Sequence, residues 1–194
     1  MANAISFSEA VQRQAKFIAE LGCPAVAGLY DLTSLRLVRF AATITRNQHD
    51  AEDAVAASLL KVVSDVELLV RADHAWAFLL QIVRNESLQI LRRKKRWLHA
   101  ATKLSNGLFD LICSSKVDSL DRQEEDREVW KALRELPTEQ AEVVVLKIWE
   151  DFTFHQIAQT LDIPQATAAS RYRYGLEKLS EKLGARFREE IRHG

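Results

Sequence analysis

The first clear periodicity begins at Leu29, where apolar residues recur every few positions at Leu29, Leu32, Leu35, Val38 and Ile44. That spacing lays an apolar stripe along a helix. The polar break Arg46-Asn47-Gln48-His49 ends it. Asp50 is placed to cap a second helix, with Val55, Leu59, Val62, Val63 and Val66 on one face. Asp73 is placed to cap a third, whose inward positions are Trp76, Leu79, Leu80, Val83, Ser87, Ile90 and Leu91. The pattern then fails. Leu98 to Ser119 mixes Ser, Asn-Gly and Cys-Ser-Ser-Lys with scattered apolar residues and reads as a linker.

Helical spacing resumes at Leu120 and stops at Pro137, and a further helix covers about Thr138 to Trp149. Thr153 with Gln156 fits a capping box for a short helix that ends near Leu161-Asp162. Pro164 suits the first turn of a longer helix, with Ala168, Tyr172, Leu176, Leu179 and Leu183 inward. A short helix, a tight turn and a longer helix make a helix-turn-helix candidate. The expected architecture is all-α: one helical domain over residues 1–97, a linker over 98–119, and a second helical domain over 120–194. Met1 to Gly28 and the tail from Gly184 are assigned neither a regulatory role nor the status of fraying ends.

Composition narrows the class. In a chain of 194 residues, 47% are hydrophobic, enough to build cores, and only six Gly and three Pro argue against many short strands. Cys23 and Cys113 stand far apart in no metal or redox motif, and the five His are scattered, so reduced thiols and no metal site are expected. The first twenty residues lack the apolar centre of a signal peptide, and no apolar run nears the ~20 residues of a membrane span. A cytoplasmic protein without membrane insertion is expected.

Charge changes the picture once it is divided. The 27 basic and 27 acidic residues cancel overall. Yet residues 118–151 hold eleven acids against five bases, and residues 163–194 hold seven bases against four acids. Within "LQILRRKKRW" five cations stand together, Arg92, Arg93, Lys94, Lys95 and Arg96. One or two would suffice to complement a helix C-terminus, where each gains only ~0.3–1 kcal/mol. Five suit a polyanion. Upstream, Gln81, Asn85 and Gln89 recur at i, i+4 with Arg84 beside them, and amides and guanidiniums are the groups that read base edges. Trp97 is placed to stack on an unpaired base.

In the helix-turn-helix candidate, the second helix would present its start to a major groove: Gln165, Ala166, Thr167 and Ala169, then Ser170, Arg171 and Arg173. The small residues permit close approach and the arginines reach phosphate or base. The carboxylates Asp50, Glu52 and Asp53 sit at a helix start, where acids stabilise the dipole, and also suit a protein contact. There is no phosphate-cradling glycine loop, no nucleophile with a paired base and no metal-ligand spacing, so no catalytic residue, cofactor or metal is assigned.

These constellations, in this order, resemble bacterial RNA polymerase sigma factors of the extracytoplasmic-function group. "LYDLTSLRLVRFAATITRNQHDAEDAV" looks like the start of that family's region 2, and "AFLLQIVRNESLQILRRKK" is similar to its pattern AWLxxIARNxxLDxLRRxx, with Phe78 where Trp is usual. "ALRELPTEQAEVVVLKIWEDFTFHQIAQTLDIPQATAASRYRYGLEKL" is similar to region 4. The resemblance implies a region 2-like bundle that docks on core RNA polymerase through Asp50, Glu52 and Asp53. It implies that Gln81, Arg84, Asn85, Gln89 and Arg92 to Arg96 meet the minus-ten promoter element. Gln165, Thr167, Ser170, Arg171 and Arg173 would read the minus-thirty-five element. The acidic region between the basic ones is expected to lie in the polymerase's basic channels, and an anti-sigma protein is an implied partner where one exists.

This chain departs from the family pattern at several positions. Ala56 and Ala57 replace a Gln and an acid. Gln89 stands for Asp, Ala166 for Gly, Ala169 for a frequent Lys, and Asp162 for a Gly at a helix end. Asp tolerates the left-handed conformation such an end requires. Two rival readings share the same residues: a free-standing helix-turn-helix regulator, and an all-α adaptor whose basic patches bind an acidic protein.

Overall fold

Ser6 opens the first helix: its hydroxyl accepts from the Glu9 amide and the Glu9 carboxylate returns to the Ser6 amide, a closed capping box. The computed structural model describes residues 6–102 and 124–183, and all regular structure among them is helical. In chain order the α-helices are α1 (Phe7–Leu21), α2 (Val26–Thr45), α3 (Gln48–Ser64), α4 (Val66–Arg71), α5 (Ala75–Thr102), α6 (Glu124–Glu135), α7 (Thr138–Ile148), α8 (Phe154–Leu161) and α9 (Gln165–Leu183).

Helix α1 lies ahead of the first stripe found in the sequence. Val11, Ala15 and Ile18 bury one face of it. Gln12 then ties the bundle together. Its Nε2 donates to the Val70 carbonyl at 3.1 Å, and its Oε1 accepts the Ala75 amide at 3.3 Å. One side chain thus joins the end of α4 to the start of α5. In α2 the buried stripe is Leu29, Thr33, Leu37, Phe40 and Ile44, while Leu35, expected inward, is 49% exposed. A buried threonine is tolerable because its hydroxyl donates to its own helix: Thr33 Oγ1 lies 2.6 Å from the Leu29 carbonyl.

Three boundaries differ from expectation. One is at α5, which begins at Ala75 with the His74 carbonyl accepting the Phe78 amide, so Asp73 stands one residue ahead of the cap position. The cap of α3 is Asn47, whose Oδ1 accepts the Asp50 amide at 3.0 Å, so Asp50 sits inside the first turn. The expected second helix also breaks at Asp65, and Val66 begins α4. Helix α5 continues past Trp97 to Thr102, while the rest of the span expected as a linker lies outside the described residues.

In the second half the turn chemistry is as the residues require. Thr153 and Gln156 close a capping box, and Asp162 ends α8 at φ 54°, ψ 54°. Helix α9 seats on α7 through Gly175, where a Cβ would come within 2.7 Å of Val144 Cγ2. Gly175, with Ala168 and Leu179, forms the buried stripe, and Leu176, expected inward, lies beside it half-buried. The halves pack on each other: α2 lies against α6 and α7, and α5 against α8.

Candidate nucleic-acid interface

Helix α5 carries the basic run outward. Asn85, Gln89, Arg92, Arg93, Lys94, Lys95 and Arg96 are exposed, as is Trp97, while Gln81 is half-buried. Gln89, Arg92, Arg93, Lys95 and Arg96 line one concavity. The helix holds this face out because its opposite side, Trp76, Leu79, Leu80, Val83 and Ser87, is buried against α2 and α3. Arg92, Arg93, Lys95 and Arg96 have no acidic partner among the described residues.

Two predicted contact residues are engaged within the chain. Lys94 Nζ lies 2.5 Å from Asp50 Oδ2, joining one member of the cationic run to one of the three carboxylates assigned to protein contact. Asp50 is buried, whereas Glu52 and Asp53 are exposed on the same helix. Arg84, beside the polar stripe, is the second. Its Nε donates to Glu142 Oε1 of α7 at 2.8 Å, with the two side chains 19% and 1% exposed.

A neighbouring cluster was not anticipated. Glu150, just beyond α7, accepts the Trp76 indole N–H at 2.7 Å and pairs with Arg36 at 3.3 Å. Arg36 also donates to the Trp149 carbonyl at 2.8 Å and stacks over the Phe7 ring at 3.9 Å. Burial is the largest influence on both glutamates and pushes each carboxyl above its ordinary range. Arg84 pulls Glu142 back, with a smaller share from Arg171, and Arg36 and Trp76 do the same for Glu150. The acids at 142 and 150 therefore serve contacts inside the chain. The sequence held one signal for this: Glu142 stands directly before Val143, Val144, Val145 and Leu146, where a solvated acid would not be expected.

On α9 the predicted readers lie together on the first turns. Gln165 and Arg173 are exposed, and Thr167, Ser170 and Arg171 are half-buried. The Ser170 hydroxyl donates back to the Thr167 carbonyl at 3.0 Å, and the Arg173 guanidinium lies 4.9 Å from the Tyr174 ring centre.

Two family models match the chain in order. Sigma-70 region 2 covers residues 29–97, and sigma-70 region 4 covers residues 126–179, together well over half of its length. The chain is a sigma factor. It is 25% identical over 121 residues to the RNA polymerase sigma factor SigV of Bacillus subtilis (strain 168), spanning 62% of this chain and 68% of that one. It is 23% identical over 168 residues to the ECF RNA polymerase sigma factor SigW of the same organism, spanning 82% and 89%. The solved sigma factor RpoE from Bartonella quintana, in complex with the anti-sigma factor NepR, superposes with a TM-score of 0.67 at 25% identity. That match covers 79% of this chain and 93% of that one. The sigma factor belongs to the extracytoplasmic-function group and directs RNA polymerase to promoters. Among its described residues no helix is long and apolar enough to cross a membrane.

Proposed function

We propose that this sigma factor meets promoter DNA through the exposed face of α5 and the first turns of α9, and meets core RNA polymerase through the start of α3. The observation that carries the assignment is the run Arg92, Arg93, Lys95 and Arg96. These four exposed cations lie on one helix without acidic partners among the described residues, where a polyanion supplies the missing charge. Asn85 and Gln89, exposed on the same helix, contribute amides for base edges of the minus-ten element, and Gln81 lies at the rim. Gln165, Thr167, Ser170, Arg171 and Arg173 face the minus-thirty-five element from α9. For the polymerase, Glu52 and Asp53 supply the exposed charge, while Asp50 is buried and pairs with Lys94.

The protein works in the cytoplasm beside the polymerase, and RpoE's complex with NepR supports an anti-sigma protein as a further partner. The test is gel filtration of the chain with bacterial core polymerase. Glu52→Ala/Asp53→Ala weakens the complex and leaves thermal stability unchanged, whereas Asp50→Ala lowers stability as well. An unweakened complex with Glu52→Ala/Asp53→Ala overturns the docking assignment.

A further inference from the structure

Between Gln81 and Leu91 only two residues of α5 are exposed, Asn85 and Gln89. They stand four positions apart, neighbours along one line of the helix face. The residues between them are turned away or engaged. Glu86 and Ser87 are buried, Leu88 is half-buried, and Lys61 holds the Glu86 carboxylate.

Neither amide serves the fold. Elsewhere in the chain such side chains bond backbone at helix ends: Gln12 to the Val70 carbonyl, Asn47 to the Asp50 amide and Gln156 to the Thr153 amide. The side chains of Asn85 and Gln89 make no hydrogen bond among the described residues. Asparagine is also a poor helix former, and Asn85 stands in the interior of the 28-residue α5.

What the two side chains offer is a pattern. An amide sets an N–H donor beside a carbonyl acceptor. The major-groove edge of adenine sets the N7 acceptor beside the N6 donor, so the two fit as a bidentate pair. Guanine shows two acceptors there and leaves the amide oxygen unpaired. Cytosine offers a donor alone, and thymine an acceptor and a methyl. The spacing fits as well. Four residues rise about 6 Å along a helix, and two base steps rise about 6.8 Å along a DNA strand. The methylene by which Gln89 is longer than Asn85 makes up the difference. Arg92, Arg93, Lys95 and Arg96 follow on the same helix and suit the flanking phosphates, which fix register without reading sequence.

We propose that Asn85 and Gln89 set the base preference of the minus-ten element, each selecting an A·T pair, with the two pairs two base steps apart. This rests on the assignment of α5 to that element and deepens it by naming the bases. Gln89 is the sharper determinant. The family pattern has Asp at its position, and a carboxylate only accepts, so its partner is the N4 donor of cytosine.

The test uses holoenzyme assembled from core RNA polymerase and the full chain. Promoter DNA from one of its own start sites is randomised through the minus-ten region, and the transcribed templates are sequenced. Wild type is expected to retain two A·T pairs two steps apart, each favoured by roughly tenfold or more. Asn85→Ala and Gln89→Ala each flatten one of these positions and spare the other. Gln89→Asp moves its position from adenine to cytosine, an exchange that a merely structural side chain does not produce. Both residues are exposed, so thermal midpoints stay at the wild-type value.

A preference for G·C pairs at both positions, or A·T pairs untouched by all three variants, overturns the proposal and leaves α5 assigned to the element. No preference anywhere in the randomised region, with transcription still dependent on the chain, removes the assignment of α5 and the proposal with it.

Discussion

Gly175 decides how closely α9 sits on α7, and Gly175→Ala measures that. Two effects oppose each other. Alanine in a helix interior is favoured over glycine by roughly 0.5–1 kcal/mol. Against this, the new methyl would stand 2.7 Å from Val144 Cγ2. Val144 is fully buried on α7 and β-branched, so its χ1 has little freedom to yield, and overpacking of this kind costs about 1–3 kcal/mol. The clash wins by roughly 1 kcal/mol, which shifts the midpoint of thermal unfolding by about 2–8 °C depending on the size of the cooperative unit.

The assay is urea and thermal denaturation followed by far-ultraviolet circular dichroism, on Gly175→Ala, Val144→Ala and the double variant. Val144→Ala removes the clashing methyl, so the double variant should be more stable than the sum of the singles by at least about 0.5 kcal/mol. A stabilised Gly175→Ala would refute the reasoning, because it would show helix propensity acting with no clash to overcome.

Three further outcomes follow from the same geometry. Both Glu142 and Glu150 titrate above their ordinary value of 4.5 in the packed state, so that state binds protons more readily than one in which water solvates them. Their contribution is therefore fully present below the ordinary value and is lost as pH rises through the raised ones. Relative to Glu142→Gln/Glu150→Gln, wild type should lose stability from mildly acidic to mildly alkaline pH in denaturant titrations, and a gain would contradict the burial argument. Gln12→Ala strips partners from the Val70 carbonyl and the Ala75 amide, costing about 1–2 kcal/mol and speeding hydrogen exchange at Ala75; unchanged exchange would remove Gln12 from the role assigned to it. Replacing Arg92, Arg93, Lys95 and Arg96 together by Gln should flatten the salt dependence of single-stranded DNA binding by about 0.7 per lost contact with no change in unfolding midpoint, and a large midpoint drop would mark these side chains as structural instead.

What the chain disclosed without a structure was local. The capping box at Thr153 and Gln156, the left-handed Asp162 and the Pro164 start all follow from residues within a turn of each other. What stayed hidden was set across distance. Asp50 was expected to cap α3, but Asn47 caps it, and the Asp50 carboxylate pairs instead with Lys94, 44 positions away. Arg84 lies beside the polar stripe of Asn85 and Gln89, and nothing local announces its bond to Glu142, 58 positions on. Helix α1 was legible but not assigned: Val11, Ala15 and Ile18 stand at helical spacing and the Ser6–Glu9 capping box opens it. Leu35 was misplaced because a threonine that satisfies its own hydroxyl within the helix took the inward position at 33.

The most direct test of the central claim is transcription reconstituted from core RNA polymerase, this chain and fragmented genomic DNA, with transcript 5′ ends mapped. The account predicts start sites absent with core polymerase alone, sharing two upstream elements. Arg171→Ala/Arg173→Ala should relax dependence on the distal element, and Asn85→Ala/Gln89→Ala dependence on the proximal one. Start sites identical with and without the chain, or selectivity untouched by either pair of substitutions, would contradict it.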